Sequence, residues 1–258
     1  MSVSVDTVPL AAAVHRTRTG DLWIFRGRTA ADRLIQTLTN APVNHVGVAV
    51  VLDDMPPLMW HAEMGRALPD VWTGRHQRGV QLHVLEDAVR QWTGPYGQRA
   101  WFRQISPEVG PEQEDALLAT IARLDGVSFP SAGRVLGRWA RGRWTARGVG
   151  ARPGGSGEGV GGDDDEARGL GERLRTLVGR SRRRRSAPGA GMRMEAAYCA
   201  EVVGVTLEEM GVLLPAGSAS WYDPGRFWSG DDLPLAPGWS YGREIAVTVA
   251  REGAAGGR

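Results

Sequence analysis

The residues able to do chemistry are few, and their types point to a thiol. The 258-residue chain contains one cysteine, Cys199, and five histidines. A cysteine nucleophile needs a thiolate, a base within hydrogen-bond reach, and a group that orients the base. His45 opens the β-branched run Asn44–Leu52, and His61 lies in the run Leu58–Glu63, with the polar turn Asp53-Asp54-Met55-Pro56-Pro57 between them. An antiparallel hairpin over these runs brings His45 and His61 together. His45 is then the residue that takes the thiol proton and later returns it to a leaving group. His61 orients the His45 ring, and Glu63, on the same strand face by alternation, competes for that role.

Cys199, Val202, Val203, Leu207 and Met210 recur at the spacing of one helix face. Gly211 stands where a glycine cap ends a helix, and Pro215 prevents resumption. This reading puts Cys199 in the first turn, where open N–H groups and the helix dipole favour an anion and lower a thiol pKa. Backbone N–H groups there, including that of Cys199, would form the oxyanion hole. The alternative is a buried structural cysteine. A metal held by His45, His61 and Cys199 lacks the paired-ligand spacing of a zinc site, so neither metal nor cofactor is expected. His15, His76 and His83 adjoin no comparable motif and are read as structural or exposed.

The elements that must position these groups follow from pattern. Thr19-Gly20-Asp21 turns into a short buried strand ending at Gly27, and Thr29 to Leu38 reads as a capped helix. Further strands are expected over Gly79–Leu85, Trp101–Gln104 and Glu244–Val249. Pro111 to Leu124 is the clearest helix, with Leu117, Leu118, Ile121 and Leu124 inward.

Composition sets the limits. Hydrophobic residues make up 42% of the chain, enough for a core, and the formal charge is only +2. Every basic side chain is Arg, so lysine Schiff-base chemistry is excluded. One cysteine excludes an intramolecular disulfide and suits a reducing compartment. No run is long and apolar enough to span a bilayer, and Met1 to Thr19 lacks signal-peptide character, so a cytoplasmic protein is expected. Residues 141–192 are rich in Gly, Arg and acidic side chains and read as a disordered insertion. Within it, a basic amphipathic stretch and Arg180, Arg182, Arg183, Arg184 and Arg185 offer an anionic membrane surface a peripheral docking site. No aromatic interleaving supports nucleic-acid binding. A single domain over residues 14–250 is expected, with 1–13 and 251–258 as flexible termini.

Gly20-Asp21-Leu22, then Asn44-His45-Val46-Gly47-Val48, then Trp60-His61-Ala62 resembles the NlpC-type papain-like fold. Tyr198-Cys199-Ala200-Glu201-Val202-Val203 comes last in the chain, and is similar to the Y-C-S-E-L-V motif of the circularly permuted branch. That branch includes YiiX/YaeF-type amidases and, more remotely, lecithin-retinol-acyltransferase-like proteins. Asp223-Pro224-Gly225-Arg226-Phe227 and Leu124 to Pro130 resemble further segments of the branch. Ala200 replaces its usual Ser, and His61 stands where YiiX-type members tend to carry Glu. The resemblance implies an α+β papain-like fold, with a small antiparallel sheet packed against the cysteine helix. It also implies a cysteine hydrolase acting on a peptide or lipid acyl substrate through an acyl-enzyme, with acyl transfer as a variant. Tyr198, Trp60 and Trp23 are the candidates for lining an acyl pocket. The rival reading is a non-catalytic membrane- or partner-binding module that uses the Arg-rich insertion.

Overall fold

The computed structural model describes residues 7–27, 43–126, 190–217, 219–229 and 233–250. Its centre is a seven-stranded sheet of order β1-β9-β6-β2-β3-β4-β5. The strands are β1 (Thr7–Pro9), β2 (Leu22–Arg26), β3 (His45–Val50), β4 (Leu58–Glu63), β5 (Gly79–Val84), β6 (Arg99–Arg103) and β9 (Ile245–Thr248). β7 (Ile105–Ser106) and β8 (Ser240–Tyr241) form a separate pair. Every pairing in the large sheet is antiparallel except that of β1 with β9. The fold is thus α+β, with a sheet larger than the sequence suggests and one parallel pairing.

Four helices pack on it among the described residues: α1 (Leu10–Arg16), α2 (Leu85–Thr93), α3 (Pro111–Leu124) and α4 (Ala190–Glu209). β1 is hydrogen-bonded into the sheet and α1 follows it directly, so residues 7–13 belong to the fold and not to a flexible terminus. α2 begins at Leu85, where the expected third strand was to end. Its Leu85, Ala88, Val89 and Trp92 are buried at helical spacing, a face too short to distinguish from strand by pattern alone. The expected Thr29 helix and nearly all of the 141–192 insertion, its five arginines included, lie outside the described residues. No helix among the described residues is long and apolar enough to cross a membrane.

Period-two alternation gives the sheet two covered faces. On one, Leu22, Ile24, Val46, Val48, Leu58, Trp60, Ala62, Val80 and Leu82 pack with α3 and α4. On the other, Trp23, Phe25, Ala49 and Met59 pack with α1 and α2. Asp21 ties the entrance of β2: its carboxylate accepts hydrogen bonds from the backbone N–H groups of Arg18 and Ile105, both 2.9 Å. The Gly-Asp turn is therefore explained by backbone satisfaction. The four-residue turn Pro224–Phe227 is capped similarly, with Asp223 accepting from the Gly225 N–H.

Candidate functional site

The polar residues of β3, β4 and β5 fall on the α2 face. His45 Nε2 and His61 Nδ1 are 2.9 Å apart, as the hairpin reading requires. The run does not stop there. His61 Nε2 lies 3.0 Å from His83 Nδ1, and the carboxylate Oε2 of Glu63 lies 3.7 Å from His83 Nδ1 and 4.0 Å from His61 Nε2. All four side chains are buried.

Local structure accounts for each placement. Register sets Met59 opposite His83 and His61 opposite Gln81 across β4 and β5, so all four share one face. Gly47 passes beneath the cluster. A Cβ there would lie 2.8 Å from Met59 Cγ and 3.2 Å from His61 Cβ, closer than packed carbons tolerate. Gly65 likewise leaves the space in which the Tyr96 hydroxyl donates to Glu63 Oε1 at 2.7 Å. From α2, the Trp92 ring stacks on His45 with centroids 3.8 Å apart and planes 14° from parallel.

Electrostatics follow from burial. His45 is held down to about 3, mainly by desolvation and secondarily by His83. His61 is held well below the ordinary imidazole value for the same reasons, with His45 adding to the effect. His83 is lowered to about 4 by desolvation, which the nearby Asp70 charge partly offsets. The three rings are therefore neutral at pH 7. Burial raises the Glu63 carboxyl, and the Tyr96 hydrogen bond only partly opposes this. In one neutral arrangement His61 donates from Nδ1 to His45 and accepts at Nε2 from His83. Whichever tautomers hold, the outer atoms His45 Nδ1 and His83 Nε2 have no hydrogen-bond partner.

Cys199 is elsewhere. Its helix begins nine residues earlier than the apolar pattern suggests, at Ala190. Cys199 thus sits in the helix interior, where its N–H is committed to the carbonyl one turn earlier. The first-turn argument for an acidic thiol and the oxyanion role of the Cys199 backbone are both overturned. The side chain is buried in the apolar cluster of the α4 face, with Val46, Val48, Trp60 and Val203. The sheet lies between it and the imidazole of His45. With Nε2 engaged by His61 and Nδ1 unpartnered, His45 makes no hydrogen bond to the thiol.

The three aromatic candidates are buried core residues. Trp60 is buried and its indole N–H donates to Thr206 Oγ1 at 3.1 Å. Trp23 is buried and stacks on Phe102 at 5.4 Å. Tyr198 borders a void of about 10 Å³ with Val80, Leu124 and Val202, room for no more than a water.

The sequence reading leaves His83 structural or exposed, yet the strand pattern carries a signal for it. In Val80-Gln81-Leu82-His83-Val84 the polar residues alternate with apolar ones, as do His61 and Glu63 on β4. Two adjacent strands carrying polar residues in phase imply a shared polar face.

The convergent atoms His61 Nε2, His83 Nδ1 and Glu63 Oε2 form a set that can hold a metal ion. A tetrahedral ion with bonds of about 2.0–2.1 Å separates its ligand atoms by about 3.3–3.4 Å. The separations of 3.0, 3.7 and 4.0 Å bracket that edge. The remaining ligand heteroatoms on two of the three are already anchored, His61 Nδ1 by His45 and Glu63 Oε1 by Tyr96. Such outer hydrogen bonds fix the rotamer and tautomer of metal ligands.

No family model and no curated protein matches the sequence. Among solved structures the chain is similar to the metalloprotein yiiX from Escherichia coli O157:H7, at 20% identity and a TM-score of 0.32. That similarity covers 44% of this chain and 53% of the other.

Proposed function

We propose that this protein binds a divalent first-row transition-metal ion through His61, Glu63 and His83. The observation that carries the reading is the convergence of two neutral imidazole nitrogens and one carboxylate oxygen at coordination spacing in a buried site. Neutral imidazole suits zinc and iron, and two histidines with one carboxylate form a donor set that both ions use. The dication also balances the charge of Glu63, whose ion-pair neighbours among the described residues are His61 and His83 alone, both neutral. His45 acts as the positioning residue, accepting the His61 Nδ1 proton so that Nε2 presents its lone pair. Ion uptake in this reading ties β4 and β5 together beneath α2.

The test is metal content and zinc affinity of the purified full chain. One zinc per chain is expected, with affinity falling by about a hundredfold or more in His61→Ala and His83→Ala, since losing even an outer hydrogen bond costs 10–100-fold. Cys199→Ser should bind as the wild type does. A wild type that takes up no zinc, or a His83→Ala chain of undiminished affinity, would sink the reading.

One observation favours a second reading, thiol acyl transfer on a papain-like fold. His45 has its Nε2 held by His61 and its Nδ1 open, which is half of the base-and-orienter arrangement a cysteine hydrolase needs. The other half requires Cys199 to reach Nδ1 from the far side of the sheet. The rate of Cys199 alkylation against pH separates the two readings. The metal-centre reading expects slow alkylation, with the same midpoint in wild type and His45→Ala. A midpoint well below about 8.5 that rises in His45→Ala would instead establish a thiolate–imidazolium pair.

A further inference from the structure

Three protein donors leave a tetrahedral ion one position short. The strand register places one further polar residue beside the three. Gln81 lies directly opposite His61, diagonal to Glu63, and two residues before His83 on β5. Directly opposed Cβ atoms are about 5 Å apart and diagonal ones somewhat under about 7–8 Å, so Gln81 rises from the same sheet face as the three ligands and within reach of them. Gly79, opposite Glu63, adds no side chain to that face.

Gln81 is buried. Its Nε2 faces the backbone carbonyl of Glu63 at 3.5 Å, a long donor contact. The acceptor Oε1 is left buried without a hydrogen-bond partner. A buried amide oxygen with no donor costs free energy, and each such group calls for an explanation. Water on a metal ion is an unusually acidic donor, because the ion withdraws charge from its oxygen.

We infer that Gln81 Oε1 accepts a hydrogen bond from a water molecule that fills the fourth position of the His61–Glu63–His83 metal centre. The inference rests on the metal-binding reading above. It makes the centre water-bearing, the type in which an ion keeps one exchangeable position, and not one closed by four protein ligands. Gln81 is then a positioning residue. It touches the water and not the ion, so removing it should disturb the water far more than it disturbs ion uptake.

The experiment uses the full chain loaded with copper(II), a paramagnetic probe, in water enriched in oxygen-17. Copper content and the oxygen-17 hyperfine signal are measured on the same sample. The wild type should show a coordinated-water signal. Gln81→Leu, which removes the acceptor but keeps the bulk, should lose that signal or weaken it severalfold while still filling with copper at saturation. Its copper affinity should fall by no more than the 10–100-fold typical of an outer-shell change. Should Gln81→Leu fail to fold, Gln81→Asn withdraws the same oxygen by one methylene and must weaken the signal too. An undiminished signal in a folded variant overturns the role of Gln81. A copper-loaded wild type with no water signal overturns it as well, since the fourth position is then closed. A wild type that takes up no copper removes the metal centre itself, and the copper content reports that outcome separately.

Discussion

The two faces of one set of strands make the sharpest comparison in the molecule. β3, β4 and β5 give Val46, Val48, Trp60, Ala62, Val80 and Leu82 to the α4 face, and His45, His61, Glu63, Gln81 and His83 to the α2 face. Burial is nearly complete on both. One face is an apolar core whose polar groups are tied, as Trp60 is to Thr206 and Tyr222 to Glu208. The other encloses three imidazoles, a carboxyl and an amide, and leaves several of their atoms without partners. Buried polar groups stabilise only when satisfied. The α4 face is packed as a satisfied apolar core, and the α2 face is the one to which the metal proposal assigns an ion. Cys199 belongs to the first kind of surface, buried in the apolar cluster.

The comparison can be broken or sharpened by substitution on each face. The largest effect should come from Leu207→Ala, which empties a fully buried position under α4. It should cost about 2–5 kcal/mol, as large-to-small core changes do. Denaturant unfolding should show the same loss with and without zinc, because the residue supports the other face. A zinc-dependent loss would mean that the two faces are coupled.

Gly47→Ala probes the α2 face from below. The added methyl meets Met59 Cγ and His61 Cβ, so overpacking should cost about 1–3 kcal/mol. His61 should also be displaced from the ion, lowering zinc affinity by about tenfold, a shift of the size outer-shell changes produce. Calorimetric titration would register it. Unchanged zinc affinity would show that the His61 position does not depend on the space beneath it.

The third prediction is a change in pH dependence, with no change expected at pH 7. His45 is held near 3 in the folded chain, whereas an exposed imidazole titrates near about 6.5. Between those values the unfolded chain binds more protons. The stability His45 contributes is complete above about 6.5 and is lost as the pH falls towards 3. His45→Phe keeps a ring on Trp92 and removes this titration. The metal-free variant should lose less stability than the metal-free wild type between pH 7 and pH 4. Asp21 and Asp125, both raised to about 6 chiefly by burial, contribute alike in the two proteins and cancel in the comparison. Parallel acid limbs would mean that His45 is not buried as a neutral ring.

Much of the local structure was legible in the residues. The turn at Asp53 to Pro57 and the β-branched runs around it predicted the hairpin, and with it the meeting of His45 and His61. Pro111 and the acidic residues after it mark the start of α3, and Gly211, at φ +69°, marks the stop after α4 as expected. The start of α4 was not legible, since the residues before Cys199 lack a periodic apolar face and helical hydrogen bonding there follows from context. The short helix α2 was hidden for a related reason: its buried face spans little more than two turns.

The sequence by itself determined which side chains share a face, because a strand's period of two is fixed by backbone geometry. It therefore already held His61 with Glu63, and Gln81 with His83, as pairs. Only the tertiary structure decided that these pairs meet, that α2 and Tyr96 close over them, and that α4 carries Cys199 to the opposite side. Those outcomes depend on strand register and on which helix covers which face. Both are set by packing between residues distant in the chain, and no local spacing encodes it.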